Sequence, residues 1–216
     1  MKNAVGKVKR DLPRRVSALL FACLFCFLSV MFPVTAEPVS EVSAPDASCC
    51  FGFALFETGA GGLLFGKNYD EPIRPGPTVK LMTGLIACES FGDDPEGEVT
   101  IPESALISVS GRSAGLSPGQ KIKKKELITL LLSGGFNDAA NAVAILVSGG
   151  TAGFVDLMND RAARLGMRST VYMNATGLDD DLMYTTVRDT VTLAEAAAEN
   201  ELFLECSGKA SFTYTL

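Results

Sequence analysis

Three features of the chain predict an α/β (α+β) fold, an N-terminal β-hairpin followed by a mainly helical subdomain. The 216 residues, 47% of them hydrophobic, suffice for one domain with a sizeable core and not for several. Near the start of that domain, two short apolar stretches flank a glycine-rich break, "ETGAG". From Pro77 onward helical segments recur, five in all, most of them with apolar residues at helical spacing.

The elements follow in order. A basic stretch with Lys2, Lys7, Lys9, Arg10, Arg14 and Arg15 precedes the apolar run "VSALLFACLFCFLSVMFPVTA". That is the layout of a secretory signal peptide over residues 1–36, cut after Ala36, with an uncleaved membrane anchor as the alternative. Residues 37–48, rich in Pro, Ser and acids, are predicted to form a flexible leader, and the domain to span 49–216. Strands are expected near 49–56 and 62–67, where glycines supply the positive φ values of the turn. A helix is expected over 77–89, with Leu81, Leu85, Ile86 and Cys88 on one stripe. Further helices are expected over 126–132, over 138–147 before Gly149 and Gly150, and over 152–165 before Gly166. Thr186 and Asp189 have capping-box spacing and open a helix continuing through "TVTLAEAAAEN". "SFTYTL" reads as a short β-like tail, and the lysine-rich run 121–125 as a solvated face leading into a helix. So little sheet is visible that the hairpin either packs on helices or finds its sheet partners outside this chain.

Composition narrows the chemistry. Residues 1–36 carry six basic residues and one acidic residue, so their removal takes the net charge from -6 to -11. An acidic exported chain does not suit nucleic acid, and the signal segment, if uncleaved, is its only contact with a membrane. Nothing in the sequence sets an oligomeric state. The chain has no histidine, which excludes imidazole triads and histidine metal sites, and no cofactor is implied. Cys49, Cys50, Cys88 and Cys206 remain after the signal, in no zinc or haem spacing. One long-range disulfide and buried free thiols are both open, since Cys49 and Cys50 on a strand would point to opposite faces.

The blocks "KNYDEPIRPGPTVKLMTGL", "SGRSAGLSPGQKI", "LLLSGGFNDAANAVA", "FVDLMNDRAARLGMRSTVYMNATGLDDD" and "YTTVRDTVTLAEAA" stand in characteristic order and spacing. In them the chain resembles the serine-type D-alanyl-D-alanine carboxypeptidases, the low-molecular-weight penicillin-binding proteins of peptidase family S11, over about residues 49–216. The resemblance implies a penicillin-binding-protein and serine β-lactamase-like transpeptidase fold, here in truncated form with later sheet strands missing. It also implies a reaction in which a serine attacks the bond between two terminal D-alanines and a lysine one turn later takes its proton. A Ser-x-Asn motif and a Lys-Thr-Gly strand would complete that site.

This chain departs from that pattern at three places. Lys80 occupies the general-base position, but Pro77 stands where the nucleophilic serine belongs. Thr78 cannot replace it, because two residues turn roughly 200° around a helix, whereas proline suits a first helical turn. In "GGFNDAAN" Asn137 matches the substrate-holding asparagine, with helix capping as its alternative role, while Gly135 replaces the motif serine and Ser133 lies two residues too early. No Lys-Thr-Gly precedes Leu216. "SGRSAGLSPGQ" and "NATGL" are expected to be structural. The expectation is therefore an exported, catalytically defective homologue that acts, if at all, by binding peptidoglycan stem peptides through Lys80 and Asn137. An active carboxypeptidase with an unusual nucleophile and a non-functional gene remnant are the competing readings.

Overall fold

The computed structural model describes residues 45–57 and 62–214. The signal segment, most of the leader and the hairpin turn at 58–61 lie outside the described residues. Strands β1 (Phe53–Glu57) and β2 (Gly62–Lys67) pair antiparallel, with a register shift between Leu55 and Phe56. None of their residues enters the buried core. The hairpin is instead tied to the helices near its ends. Arg188 donates its backbone N–H to the Tyr69 carbonyl at 2.9 Å, lies 4.6 Å from the centre of the Tyr69 ring and forms an ion pair with Asp70.

Six helices follow among the described residues: α1 (Val79–Phe91), α2 (Lys124–Leu132), α3 (Asn137–Ser148), α4 (Thr151–Leu165), α5 (Val187–Ala198) and α6 (Glu201–Ser207). The first is the centre of the fold. The sequence predicts one apolar stripe on it, yet Val79, Met82, Thr83, Leu85, Ala87 and Cys88 are all buried. The reason is enclosure: α1 packs against all five other helices and buries apolar residues on more than one side. Gly84 permits a close approach to Leu132, whose side chain a Cβ there would meet at 2.4 Å.

The helix ends obey local chemistry. Gly149 (φ 78°) and Gly166 (φ 81°) terminate α3 and α4 in the left-handed conformation that glycine adopts without strain. At the start of α5, the Thr186 side chain accepts from the Asp189 backbone N–H at 3.1 Å. That helix stops at Ala198, earlier than expected, because Asn200 caps a new one: its Oδ1 accepts from Phe203 N–H at 2.9 Å.

Three further expectations are corrected. Lys121–Lys123 does lead into a helix, α2 at Lys124, but as a strand, β4, paired antiparallel with β3 (Glu98–Thr100), with Ile122 pointing into the core. Its neighbouring lysines are held by exposed ion pairs, Lys123 to Glu96, Lys124 to Asp94 and Lys125 to Glu205. The tail forms no strand over residues 211–214; its aromatic rings pack instead, Tyr214 edge-on to Phe136 at 6.3 Å and tilted against Phe212 at 6.1 Å. Cys49 and Cys50 precede the first strand in a turn, so they are not directed to opposite faces, and all four described cysteines are free thiols.

Candidate functional site

Chain geometry before α1 places the first group of residues. Gly76 takes φ 53°, and Gly76–Thr78 forms a single 3-10 turn that runs into α1 with Pro77 inside it. Proline's fixed φ suits that entry, and its missing N–H breaks no helical bond there. The Thr78 hydroxyl turns back and donates to the Pro75 carbonyl at 2.6 Å.

Lys80 is 9% exposed, and its Nζ donates to the Thr176 carbonyl at 2.5 Å. Burial is the cause that draws its pKa below the ordinary 10.5, and no described carboxylate pairs with it. One turn on, the Thr83 hydroxyl donates to the Ala175 carbonyl at 2.8 Å. Successive turns of α1 thus grip successive carbonyls of the 174–178 loop.

That loop is shaped by its own residues. Asn174 Oδ1 accepts from the backbone N–H groups of Thr176 and Gly177 and from the Thr176 hydroxyl, while its Nδ2 donates to the Leu178 carbonyl. Gly177 has φ 83° and lies so close to the 3-10 turn that a Cβ would sit 2.1 Å from the Gly76 carbonyl oxygen. The backbone on either side of Pro77 and Lys80 is therefore held by direct contact with residues about a hundred positions later.

The other wall comes from the segment between α2 and α3. Gly135 has φ 68°, and a Cβ there would meet no atom within 4 Å. Pro77, Thr78, Lys80, Leu81, Leu132 and Gly135 together line a cavity of about 330 Å³. Thr78 carries the only side-chain hydroxyl on that lining. Ser133 faces elsewhere, donating to the Cys206 carbonyl at 2.7 Å.

Asn137 does not line this cavity and does not cap α3. Phe136 is the N-cap residue, without a side-chain cap bond, and Asn137 is the first helical residue. Its Nδ2 donates to the Ser110 carbonyl at 2.7 Å and its backbone N–H to the Arg112 carbonyl at 2.7 Å. Gly111 lies against the Asn137 amide, where a Cβ would meet Nδ2 at 2.7 Å.

Asp138, a residue the sequence reading passed over, fixes the same loop. Its carboxylate accepts from the Ser113 hydroxyl at 2.6 Å and from the backbone N–H groups of Ala114, Gly115 and Leu116 at 3.0 to 3.1 Å. Burial alone would raise its pKa, but these bonds and one from Ala139 outweigh it and hold the carboxyl below its ordinary range. An acid in the first turn of α3 was the available signal. The "SGRSAGLSPGQ" turn is thereby a loop with a buried anchor.

Pro77, Lys80 and Gly135 thus meet at one cavity, while Asn137 orders the neighbouring loop. The lining offers an amine in an apolar wall of Leu81 and Leu132 and no hydroxyl free to be deprotonated. Among the described residues no three His, Cys, Asp or Glu side chains converge on a common point suited to a metal ion.

Comparison with known proteins agrees with this architecture. The sequence model of the D-alanyl-D-alanine carboxypeptidase family, Peptidase_S11, matches residues 40–214. The D-alanyl-D-alanine carboxypeptidase DacF of Bacillus subtilis is 29% identical over 159 residues, which is 71% of this chain and 40% of that protein. Among solved structures, the D-alanyl-D-alanine carboxypeptidase DacD of Francisella tularensis superposes with a TM-score of 0.69 at 29% identity, covering 76% of this chain and 39% of that one. The D-alanyl-D-alanine carboxypeptidase of Mycobacterium tuberculosis gives a TM-score of 0.71 at 27% identity, covering 80% and 64%. The chain spans 40% to 61% of the length of the first curated relatives. Matched along its whole described domain in sequence and in fold, the chain belongs to the D-alanyl-D-alanine carboxypeptidase family.

Proposed function

We propose that this chain is an exported member of its family that binds the peptide stems of peptidoglycan in the Lys80 cleft without hydrolysing them. One observation carries the reading: Pro77 fills the place one turn before Lys80, and the cavity's single lining hydroxyl, on Thr78, is committed to the Pro75 carbonyl. Acyl transfer needs a nucleophile within hydrogen-bond reach of its base. Loss of one member of such a unit can lower turnover on the order of a million-fold.

Binding requires less. A protonated Lys80 has three N–H donors and gives one to Thr176, which leaves two for a peptide carbonyl or carboxylate. Leu81 and Leu132 offer apolar walls to small side chains such as the methyl groups of alanine. Asn137 contributes from the side by holding residues 110–112 through the Ser110 and Arg112 carbonyls. The signal-peptide reading of residues 1–36 supplies the route to the cell envelope, where such peptides occur.

Calorimetric titration of the full chain with a D-alanyl-D-alanine-terminated peptide tests the proposal. Reversible binding without release of alanine is expected, and Lys80→Met weakens it by about tenfold, the worth of one charge-assisted hydrogen bond. Release of alanine, or binding indifferent to Lys80→Met, contradicts the proposal.

A further inference from the structure

Cys49 and Cys50 stand outside the cleft and play no part in it. Both are exposed, in a turn closed by the Cys50 N–H donating to the Ala47 carbonyl at 3.2 Å. Their sulfur atoms lie 3.7 Å apart in a thiol hydrogen bond.

The backbone around the pair is held from several sides. Lys67 Nζ donates to the Cys50 carbonyl at 2.8 Å and to the Ala47 carbonyl at 3.4 Å. Asn68 Nδ2 donates to the Phe51 carbonyl at 2.8 Å, and Asp46 Oδ1 accepts from the Ser48 N–H at 3.0 Å. The end of β2 thus grips the chain both before and after the two cysteines. Extended backbone would send adjacent side chains apart, whereas this turn brings both sulfurs to the same place. Bonding distance is about 2.05 Å, so closure asks for a movement of roughly 1.7 Å; adjacent Cα atoms stand about 3.8 Å apart, short for a disulfide, so the exposed turn must adjust its backbone as well as rotate both side chains. The other two cysteines differ. Cys88 and Cys206 are buried, which closes both to a small disulfide, whereas the exposed Cys50 thiol has its pKa raised mainly by its hydrogen bond with Cys49.

We propose that Cys49 and Cys50 form a redox-active vicinal pair that closes to an intra-turn disulfide by exchange with a low-molecular-weight disulfide. The thiolate of one cysteine attacks a sulfur of the small disulfide R–S–S–R. A protein–S–S–R bond forms, and the first RS⁻ leaves and takes up the proton that the cysteine released. The neighbouring sulfur, deprotonated in turn, attacks the protein-bound sulfur and expels the second RS⁻, which leaves as RSH. Two protein thiols are oxidised to one disulfide, and one small disulfide is reduced to two thiols. The second attack is intramolecular, which favours it, while the small ring that it closes carries strain, which opposes it. This inference is independent of the peptide-binding proposal and holds or fails without it.

The test uses the full chain equilibrated in glutathione buffers of stepped redox ratio, acid-quenched, alkylated and cleaved after glutamate. Cleavage after Glu41 and Glu57 releases a peptide whose only cysteines are Cys49 and Cys50. With increasing oxidation this peptide is expected to escape alkylation and to become about 2 Da lighter than its dithiol form, the loss of two hydrogens. In Cys50→Ser the reaction stops at Cys49, which then carries one glutathione. A wild-type peptide that stays fully alkylatable across the range, carries glutathione on both sulfurs or is cross-linked to another peptide overturns the proposal. So does a Cys50→Ser chain that takes up no glutathione at Cys49.

Discussion

Lys80 keeps an amine in an apolar wall with a backbone carbonyl as its only described partner. Burial lowers its pKa, so the folded chain binds a proton less readily than the unfolded chain, where the value is near 10.5. Stability from this group is therefore lowest below the folded pKa and rises as pH climbs towards 10.5. Thermal unfolding of the wild type and Lys80→Met should show the difference moving in favour of the wild type between neutral and alkaline pH. A difference that stays constant would mean that Lys80 is solvated. Pro77 makes a separate prediction. Pro77→Ser returns a hydroxyl to the position before Lys80 but leaves Gly135 without one, so alanine release from a D-alanyl-D-alanine peptide stays at background in a chromatographic assay. Both positions were singled out in the sequence by the resemblance of "RPGPTVKLMTGL" to the family's first motif, since a lysine alone would read as a surface residue. The Thr176 carbonyl was not, since a backbone acceptor 96 residues away has no sequence signature.

At the scale of elements, two loops beside the cavity, 110–116 and 174–178, are each held by buried contacts. Gly177 brings the 174–178 loop against the 3-10 turn, and its φ of 83° together with a Cβ position 2.1 Å from Gly76 oxygen leaves no room for a side chain. Gly177→Ala should lose about 2 to 4 kcal/mol in denaturant unfolding, from strain in the left-handed region plus the clash. Asp138 does the same for residues 113–116. Asp138→Ala strands the N–H groups of Ala114, Gly115 and Leu116 and should lose about 3 kcal/mol at neutral pH. Because its folded pKa lies below the ordinary 3.8, that contribution is present above 3.8 and fades as pH falls through the folded value. The gap between wild type and Asp138→Ala should accordingly close in acid. Glycine terminators made the ends of α3 and α4 readable from sequence. The break between α5 and α6 escaped because Asn200 sits in "AENELF", whose composition continues a helix. The strand β4 escaped because three residues with two outward lysines match a helix lead-in equally well.

As a whole, the described residues 45–57 and 62–214 form a helical core around α1 with the β1–β2 hairpin on its outside. No residue of β1 or β2 is buried, and Leu55 and Leu64 are 45% and 55% exposed. The predicted class was right because periodicity distinguishes the hairpin from the helices that follow. The enclosure of α1 on all sides was beyond that reach, since periodicity reports one face of a helix and not the number of its neighbours. The scaffold brings positions 77, 80 and 135 to one cavity, where the proposed function reads an amine without a serine beside it. Intact-mass spectrometry of the full chain after incubation with benzylpenicillin tests this most directly, because a penicillin acylates a working nucleophile and remains attached. The expected spectrum shows the unmodified chain alone; an adduct of one penicillin, abolished by Lys80→Met, would contradict the account.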